Sequence, residues 1–100
     1  MNIELSQTQL DVVVRAFDGL LSNPDVIDFN MASFSPLPYL EGLNDKLKTF
    51  QNREEAVQIT LDFEDWTTFF PYLELARSNV FDIEDAEILD ELYERYLLKE

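Results

Sequence analysis

The side chains of this sequence that could take part in chemistry are almost all carboxylates. Aspartate and glutamate number 21, lysine and arginine number 7, and histidine and cysteine are absent. Without an imidazole or a thiol, nucleophilic catalysis would need a serine–lysine pair, and no lysine stands in a motif of that kind. Structural zinc and non-haem iron sites ordinarily use histidine or cysteine ligands as well. The sequence therefore predicts no catalytic residue, no metal ligand and no cofactor.

Carboxylates alone support two kinds of chemistry, and the sequence matches both poorly. Residues 82–85 begin like a calcium-binding loop, but Glu87 stands where the loop needs a glycine and Ala86 replaces a ligand. The acids in residues 62–65 could form a glycosidase pair, yet a chain of 100 residues with few loops leaves little room for a substrate cleft. We expect a protein that is not an enzyme, with a carboxylate-dependent enzyme or a divalent-cation binder as the remaining alternative.

The most regular acids lie towards the end of the sequence, where glutamates recur at intervals of three and four residues. On a helix that rises ~1.5 Å per residue, successive carboxylates of such a stripe are roughly 4.5–6 Å apart along the axis. An array of this kind can imitate a phosphate backbone and occupy a cationic groove, although a solvated helix face shows the same pattern. The acids predicted to bind a partner are Glu84, Glu87, Asp90, Glu91 and Glu94.

Two apolar residues complete the predicted partner surface. Phe29 and Met31 alternate with polar residues within residues 25–34, a pattern that suits either a short strand or an ordered loop with buried anchors. No helical face accounts for these two side chains. We therefore include both among the partner-binding candidates, with local packing as the alternative.

The first helix has a clear beginning and a clear end. Ser6 and Gln9 have the spacing of a capping box, and apolar residues then recur on one helical face. Pro24 ends the pattern, because the residue before a proline avoids the helical region of backbone conformations. These signals predict a helix over residues 7–22.

Two further helices follow from the same rules. Ser35 as a cap and Pro36 at the first helical position predict a helix that continues to about residue 51. Asp82 is predicted to cap a last helix over about residues 83–98. The apolar stripe of this last helix adjoins the acidic stripe.

A strand is predicted at residues 56–61, where β-branched and polar side chains alternate. A competing interpretation begins a helix at Asn52, with Glu55 completing a capping box. We favour the strand because residues 59–79 echo residues 3–23, and in both an Ile-x-Leu triplet precedes a cap and an amphipathic helix.

The echo is either a duplication or two uses of the same local pattern. The two segments differ at Pro71, which falls inside the helix of the second segment. A proline at this position predicts a kink near Thr67 or a split into two shorter helices.

These elements together predict a mainly helical α+β fold with about four helices and two short strands in a single domain, residues 1–100. Two strands alone are marginal, so they must pack on helices, gain a third strand from residues 25–31, or pair across a homodimer. An all-helical bundle is the alternative if residues 56–61 are helical.

The charge balance narrows the class of partner. A net charge of −14 disfavours direct contact with nucleic acid or an anionic membrane and favours a basic protein. We expect a cytoplasmic protein, because the sequence shows no secretory signal and no apolar run of ~20 residues.

The expected function is a non-enzymatic inhibitor or adaptor, of the kind represented by nucleic-acid mimics and immunity proteins. It would dock on a basic surface of a nuclease, a toxin or a nucleic-acid-binding protein. The alternative is a self-associating structural or regulatory module, possible as a homodimer, whose acidity serves only solubility.

Overall fold

Four helices and a two-stranded antiparallel sheet make up the described part of the chain, residues 2–27, 35–80 and 82–97 of a computed structural model. The elements in chain order are β1 (Asn2–Leu5), α1 (Gln7–Ser22), a short 3-10 helix (Pro24–Val26), α2 (Leu37–Lys48), β2 (Val57–Thr60), α3 (Phe63–Ser78) and α4 (Ile83–Leu97). The predicted mainly helical α+β fold is confirmed. The all-helical alternative and the helix beginning at Asn52 are wrong, because residues 57–60 pair as a strand.

The sheet pairs β1 with β2 in a register that places Ile3 opposite Ile59. In each strand alternate side chains are buried, so one face of the sheet lies on the core. At the outer edge of β1, the N–H of Glu4 donates to the Tyr96 hydroxyl (2.9 Å), which donates in turn to the Glu4 carbonyl (3.0 Å). A side chain of α4 therefore satisfies the edge of β1.

The same kind of capped turn leads from each strand into a helix. Before α1, Ser6 Oγ accepts from the N–H of Gln9 (3.1 Å), and Gln9 Oε1 accepts from the N–H of Ser6 (2.9 Å). Before α3, Asp62 and Asp65 form the equivalent pair of bonds. Each box satisfies N–H groups that a helix start leaves without partners. The predicted echo between residues 3–23 and 59–79 thus has a structural counterpart.

The predicted cap of α2 is wrong. The helix begins at Leu37 behind Pro36, and no side chain caps it. Ser35 contacts α3 instead, because its Oγ accepts from Thr68 Oγ1 (3.1 Å) and its carbonyl accepts from the Tyr72 hydroxyl. Tertiary hydrogen bonds have taken the place of the local cap.

The predicted end of α2 is also wrong, since the helix stops at Lys48 and not near residue 51. The N–H groups of Thr49, Phe50 and Gln51 each bond to the carbonyl three residues back. Bonds of this spacing tighten the last turn into a 3-10 geometry and terminate the α-helix.

The alternative in which Pro71 splits a helix is wrong, because α3 continues through this residue. Pro71 lies between Phe70 and Tyr72, whose side chains are both buried. Proline removes one hydrogen bond from the helix interior, and the burial of its aromatic neighbours favours helix at this point in spite of that loss.

The hydrophobic core lies between α1 and α3, which contact each other and also both contact α2 and α4. At their crossing, the rings of Phe17 and Phe69 meet edge to face with centroids 5.8 Å apart. Trp66, which follows the cap of α3, is half-buried and packs on the margin of this core. The sheet contributes its inward side chains, Ile3, Leu5, Val57 and Ile59.

α4 begins as predicted, because Asp82 Oδ1 accepts from the N–H of Glu84 (2.9 Å). The described part of the helix ends at Leu97, so the predicted last residue, 98, lies outside the described residues. Phe29 and Met31 also lie outside them, and with them most of the segment for which a strand or a loop was predicted.

Candidate functional site: the acidic face of α4

The inner side of α4 holds the helix on the rest of the molecule. Leu89 and Leu92 are fully buried, and the ring of Tyr96 packs against the core beside Phe70, with centroids 6.4 Å apart. The hydroxyl of Tyr96 also occupies the edge of β1. Because these contacts fix the rotation of the helix, they decide which of its acids face outwards.

Two aspartates on the flanks of α4 form ion pairs inside the molecule. Asp85 Oδ1 lies 2.9 Å from Nη2 of Arg15 on α1, and Asp90 Oδ1 lies 2.6 Å from Nε of Arg77 on α3. The guanidinium of Arg77 also lies over the ring of Tyr93, 3.8 Å from its centroid. The hydrogen bond to Asp90 raises the pKa of Arg77. Asp90, predicted to bind a partner, is thus engaged by α3.

The four glutamates of α4 face outwards between these flanks. All four are exposed, and none forms an ion pair with another described residue. At 3.6 residues per turn their positions fall within an arc of about 80° around the helix axis. The residues of this surface, which we call the acidic face, are Glu84, Glu87, Glu91 and Glu94.

One cation borders the acidic face. Arg95 is exposed, four residues after Glu91, and its guanidinium lies over the ring of Tyr96, 5.8 Å from the centroid. It forms no ion pair with Glu91 among the described contacts. No glutamate of the acidic face is therefore neutralised by an ion pair among the described residues.

The division between paired and unpaired acids extends over the described chain. Every ion pair found there uses an aspartate, and every described glutamate is exposed. The pairs are Arg15–Asp85, Lys46–Asp65, Lys48–Asp18 and Arg77–Asp90. Four cations of the molecule thus serve internal contacts, and sequence reasoning missed all four of these pairs because their partners are distant in the chain.

A pocket of about 400 Å³ lies beside the Arg15–Asp85 pair, between α1, the end of α3 and the start of α4. Its lining is mainly small and apolar, with Gly19 and Ala76 on facing helices. The acids at its rim have other roles, because Asp82 caps α4 and Asp85 pairs with Arg15.

Among the described residues, no three acids lie close enough together to hold a metal ion. Nor does that part of the chain contain a helix with the length and apolar character needed to cross a membrane.

Comparison of the chain with protein-family models, with curated proteins and with solved structures gives no match. The functional argument therefore depends on the geometry and charge of the molecule itself.

Proposed function

We propose that the protein is a non-enzymatic binding module that docks the acidic face of α4 on a basic surface of another protein. The partner class is a nuclease, a toxin or a nucleic-acid-binding protein, because such proteins carry the cationic grooves that a phosphate backbone occupies. We infer that the protein acts in the cytoplasm, either as an inhibitor of this partner or as an adaptor that binds it.

One observation carries this proposal: the α4 glutamates are unpaired and outward, whereas the α4 aspartates are used to hold the helix in place. A surface whose charges are already neutralised internally has little electrostatic attraction to offer. Here the anchoring contacts and the outward charges are separate sets of side chains. The acidic face can therefore meet a partner without loss of the contacts that hold α4.

The proposal predicts fast association that depends steeply on salt. Exposed charges act over a screening length of about 10 Å at 0.1 M salt, and the acidic face is fully exposed to such screening. Each exposed ion pair contributes roughly 0.2–1 kcal/mol, so four together contribute about 1–4 kcal/mol to binding.

The test compares two variants that carry the same net charge. The first replaces the acidic face with glutamine (Glu84, Glu87, Glu91 and Glu94), and the matched control replaces four exposed glutamates elsewhere (Glu54, Glu55, Glu64 and Glu74). Both are immobilised beside the wild type, loaded with lysate at low salt and eluted with a salt gradient. We expect the bound basic protein to leave the acidic-face variant at clearly lower salt than the control.

Equal elution from the two variants would show that total charge, and not the acidic face, governs binding. Salt-insensitive retention of the native partner would exclude the electrostatic proposal altogether. Thermal unfolding of both variants checks that neither has lost its fold.

A self-associating module is the second candidate, and two observations favour it. Phe63 and Ile83 are large apolar residues that are 74% and 76% exposed. In addition, Glu4 is paired with Gln58 across the sheet and bonds outwards to Tyr96. In an antiparallel pair, two opposite residues point their backbone groups either both inwards or both outwards, so the N–H and C=O of Gln58 point to the outer edge of β2. Light scattering distinguishes the candidates, because a homodimer that persists or tightens at high salt supports self-association.

A further inference from the structure

The two edges of the sheet differ in how they are covered. At the edge of β1, the Tyr96 hydroxyl bonds to both backbone groups of Glu4. Gln58 lies opposite Glu4 in the register, so its N–H and C=O point to the outer edge of β2. No described residue bonds to these two groups, and the side chain of Gln58 is exposed. The edge of β2 is therefore open at Gln58.

A lysine of α2 covers one further group on the same edge. Thr60 is two residues from Gln58, so by the same alternation its N–H and C=O also point outwards. Lys46 Nζ donates to this carbonyl (2.9 Å) and to Asp65 Oδ2 (2.6 Å), which agrees with the outward direction. No described residue accepts from the N–H of Thr60. The open stretch of the edge therefore runs from Gln58 to the N–H of Thr60.

The sequence of β2 lacks the residues that usually protect an open edge. Natural sheets block their edges with charged residues, prolines or bulges, or cover them with another element. β1 has both a charged residue, Glu4, and the cover that Tyr96 provides. Residues 56–61 contain neither a charged residue nor a proline, and β2 pairs with β1 without a bulge. An unprotected edge of this kind is a template for pairing with another extended chain.

The charges at the two ends of β2 favour a basic strand over a second copy of this chain. Exposed acids that form no ion pair with a described residue precede the strand and follow it: Glu54, Glu55, Asp62 and Glu64. Arg53 is the only cation among residues 51–64, so negative charge is in excess. A second copy would bring the same acids and a net charge of −14, and it would be repelled. Basic residues at the ends of a partner strand would be attracted.

We propose that the open edge of β2 binds an extended segment of a partner protein, in which apolar and polar residues alternate between basic residues at both ends. The segment pairs with Gln58 and Thr60 and becomes a third strand of the sheet. Its apolar side chains continue the face that carries Val57 and Ile59, and its basic ends lie beside the acids that flank β2. This edge is opposite the one that Tyr96 of α4 covers, so the site does not depend on the acidic face.

The experiment adds the peptide acetyl-Lys-Val-Thr-Val-Lys-amide to the full chain and follows the backbone amides by NMR. We expect saturable shifts of the Gln58 and Thr60 signals. We also expect the amide hydrogen of Gln58, which exchanges freely with solvent in the protein alone, to become protected when the peptide is bound. Absence of saturable shifts at Gln58 would overturn the proposal. Protection that appears without peptide and rises with protein concentration would also overturn it, because a second copy would then occupy the edge.

Two control peptides separate strand pairing from charge. The first carries N-methyl groups on two adjacent central residues, so that neither of its edges can pair, and it should show no saturable binding. The second has glutamate in place of both lysines and should bind at least about three-fold more weakly, because attraction at each end becomes repulsion. Equal binding of the N-methylated peptide would contradict strand addition, and equal binding of the glutamate peptide would contradict the preference for a basic segment.

Substitutions at one exposed position locate the effect. Gln58→Lys adds to the edge the charge that protected edges carry and should weaken binding of the lysine peptide roughly two- to five-fold, whereas Thr8→Lys on α1, with the same net charge, should not change it. Gln58→Glu should strengthen binding by a similar factor. Equal binding by the two lysine variants would contradict a site at this edge. The glutamine variant of the acidic face should bind the peptide as the wild type does, so the outcome for β2 can be separated from the outcome for α4.

Discussion

Two units of the molecule, β1 with α1 and β2 with α3, share one local plan: a strand, a capped turn and a helix. They differ in the apolar side chains that occupy equivalent positions. Ile3 and Ile59 occupy the same place in the two units and lie opposite each other in the sheet, so an approximate local twofold axis relates the strands. At the position after each capping box, Leu10 is fully buried and Trp66 is half-buried. The capped turn defines each unit, and the size of the apolar residues decides how completely the unit is buried.

The two units also differ in that only the helix of the second unit contains a proline. α1 buries valine and leucine and one aromatic residue, Phe17, and contains no proline, whereas α3 buries three aromatic residues and carries Pro71 in its interior. Aromatic side chains bury more apolar area per residue, which offsets a local defect. Comparing equivalent substitutions in the two units tests this interpretation.

The largest expected effect comes from the two phenylalanines where the units meet. Phe17→Ala and Phe69→Ala should each lower the free energy of unfolding by about 3–5 kcal/mol, because both side chains are fully buried. The double variant should lose about 0.5–1.5 kcal/mol less than the sum, since the rings contact each other. Urea denaturation measures all three. Tyr39→Ala, at a half-exposed position, is the control, and strictly additive losses would contradict the coupling.

A smaller effect is expected from Pro71→Ala. The substitution restores an N–H to the helix interior and should raise the free energy of unfolding by about 1–2 kcal/mol. Arg15→Ala, at the equivalent place in α1, should change stability by less than about 1 kcal/mol, because it removes one exposed ion pair. Thermal unfolding compares the two. A loss of stability in Pro71→Ala would show that the ring is needed for packing.

The two capping boxes should contribute equally. Ser6→Ala and Asp62→Ala each remove a side chain that accepts from a backbone N–H, and each should cost about 1 kcal/mol. Thr8→Ala, at an exposed position in the first turn of α1, is the control and should cost no stability. If only one cap mattered, the two units would not share a common local plan.

The smallest expected effect is a difference at alkaline pH that belongs to the second unit alone. Burial raises the pKa of Tyr72 above its ordinary value of 10.0, and the equivalent residue of α1 is Ala16. The unfolded chain loses this proton first, so the stability from a neutral Tyr72 is present below pH 10.0 and is lost as pH rises through the folded pKa.

Urea unfolding between about pH 8 and pH 11 checks this expectation. The fall in stability should be shallower in Tyr72→Phe than in the wild type, whereas the exposed Tyr39→Phe should keep the wild-type slope. A Tyr72→Phe curve parallel to that of the wild type would contradict the assignment to Tyr72.

Sequence patterns predicted the parts of the fold that depend on neighbouring residues. The capping box at Ser6, the strand predicted at residues 56–61 and the cap at Asp82 all follow from spacings of a few residues. All three are present, the strand at residues 57–60. Ser35 was misassigned because its hydrogen bonds go to α3, which is far away in the chain. A local sequence pattern contains no information about hydrogen-bond partners that are distant in the chain.

The candidate site was predictable only in part for the same reason. Helical spacing placed the glutamates on one face, but it could not show that Asp90 pairs with Arg77. That pairing depends on how α4 lies against α3, which the sequence pattern does not specify. The open edge of β2 went unrecognised because the sequence pattern does not show which strand edges the helices cover.

The hydroxyl of Tyr96 on the edge of β1 has a consequence for synthesis on the ribosome. The two residues that it joins are 92 positions apart, so β1 leaves the ribosome well before the group that covers its edge. Until then, the strand presents open backbone groups to other nascent chains, and contacts of such long range form slowly. We expect chaperone dependence during translation to decline only after α4 has left the exit tunnel.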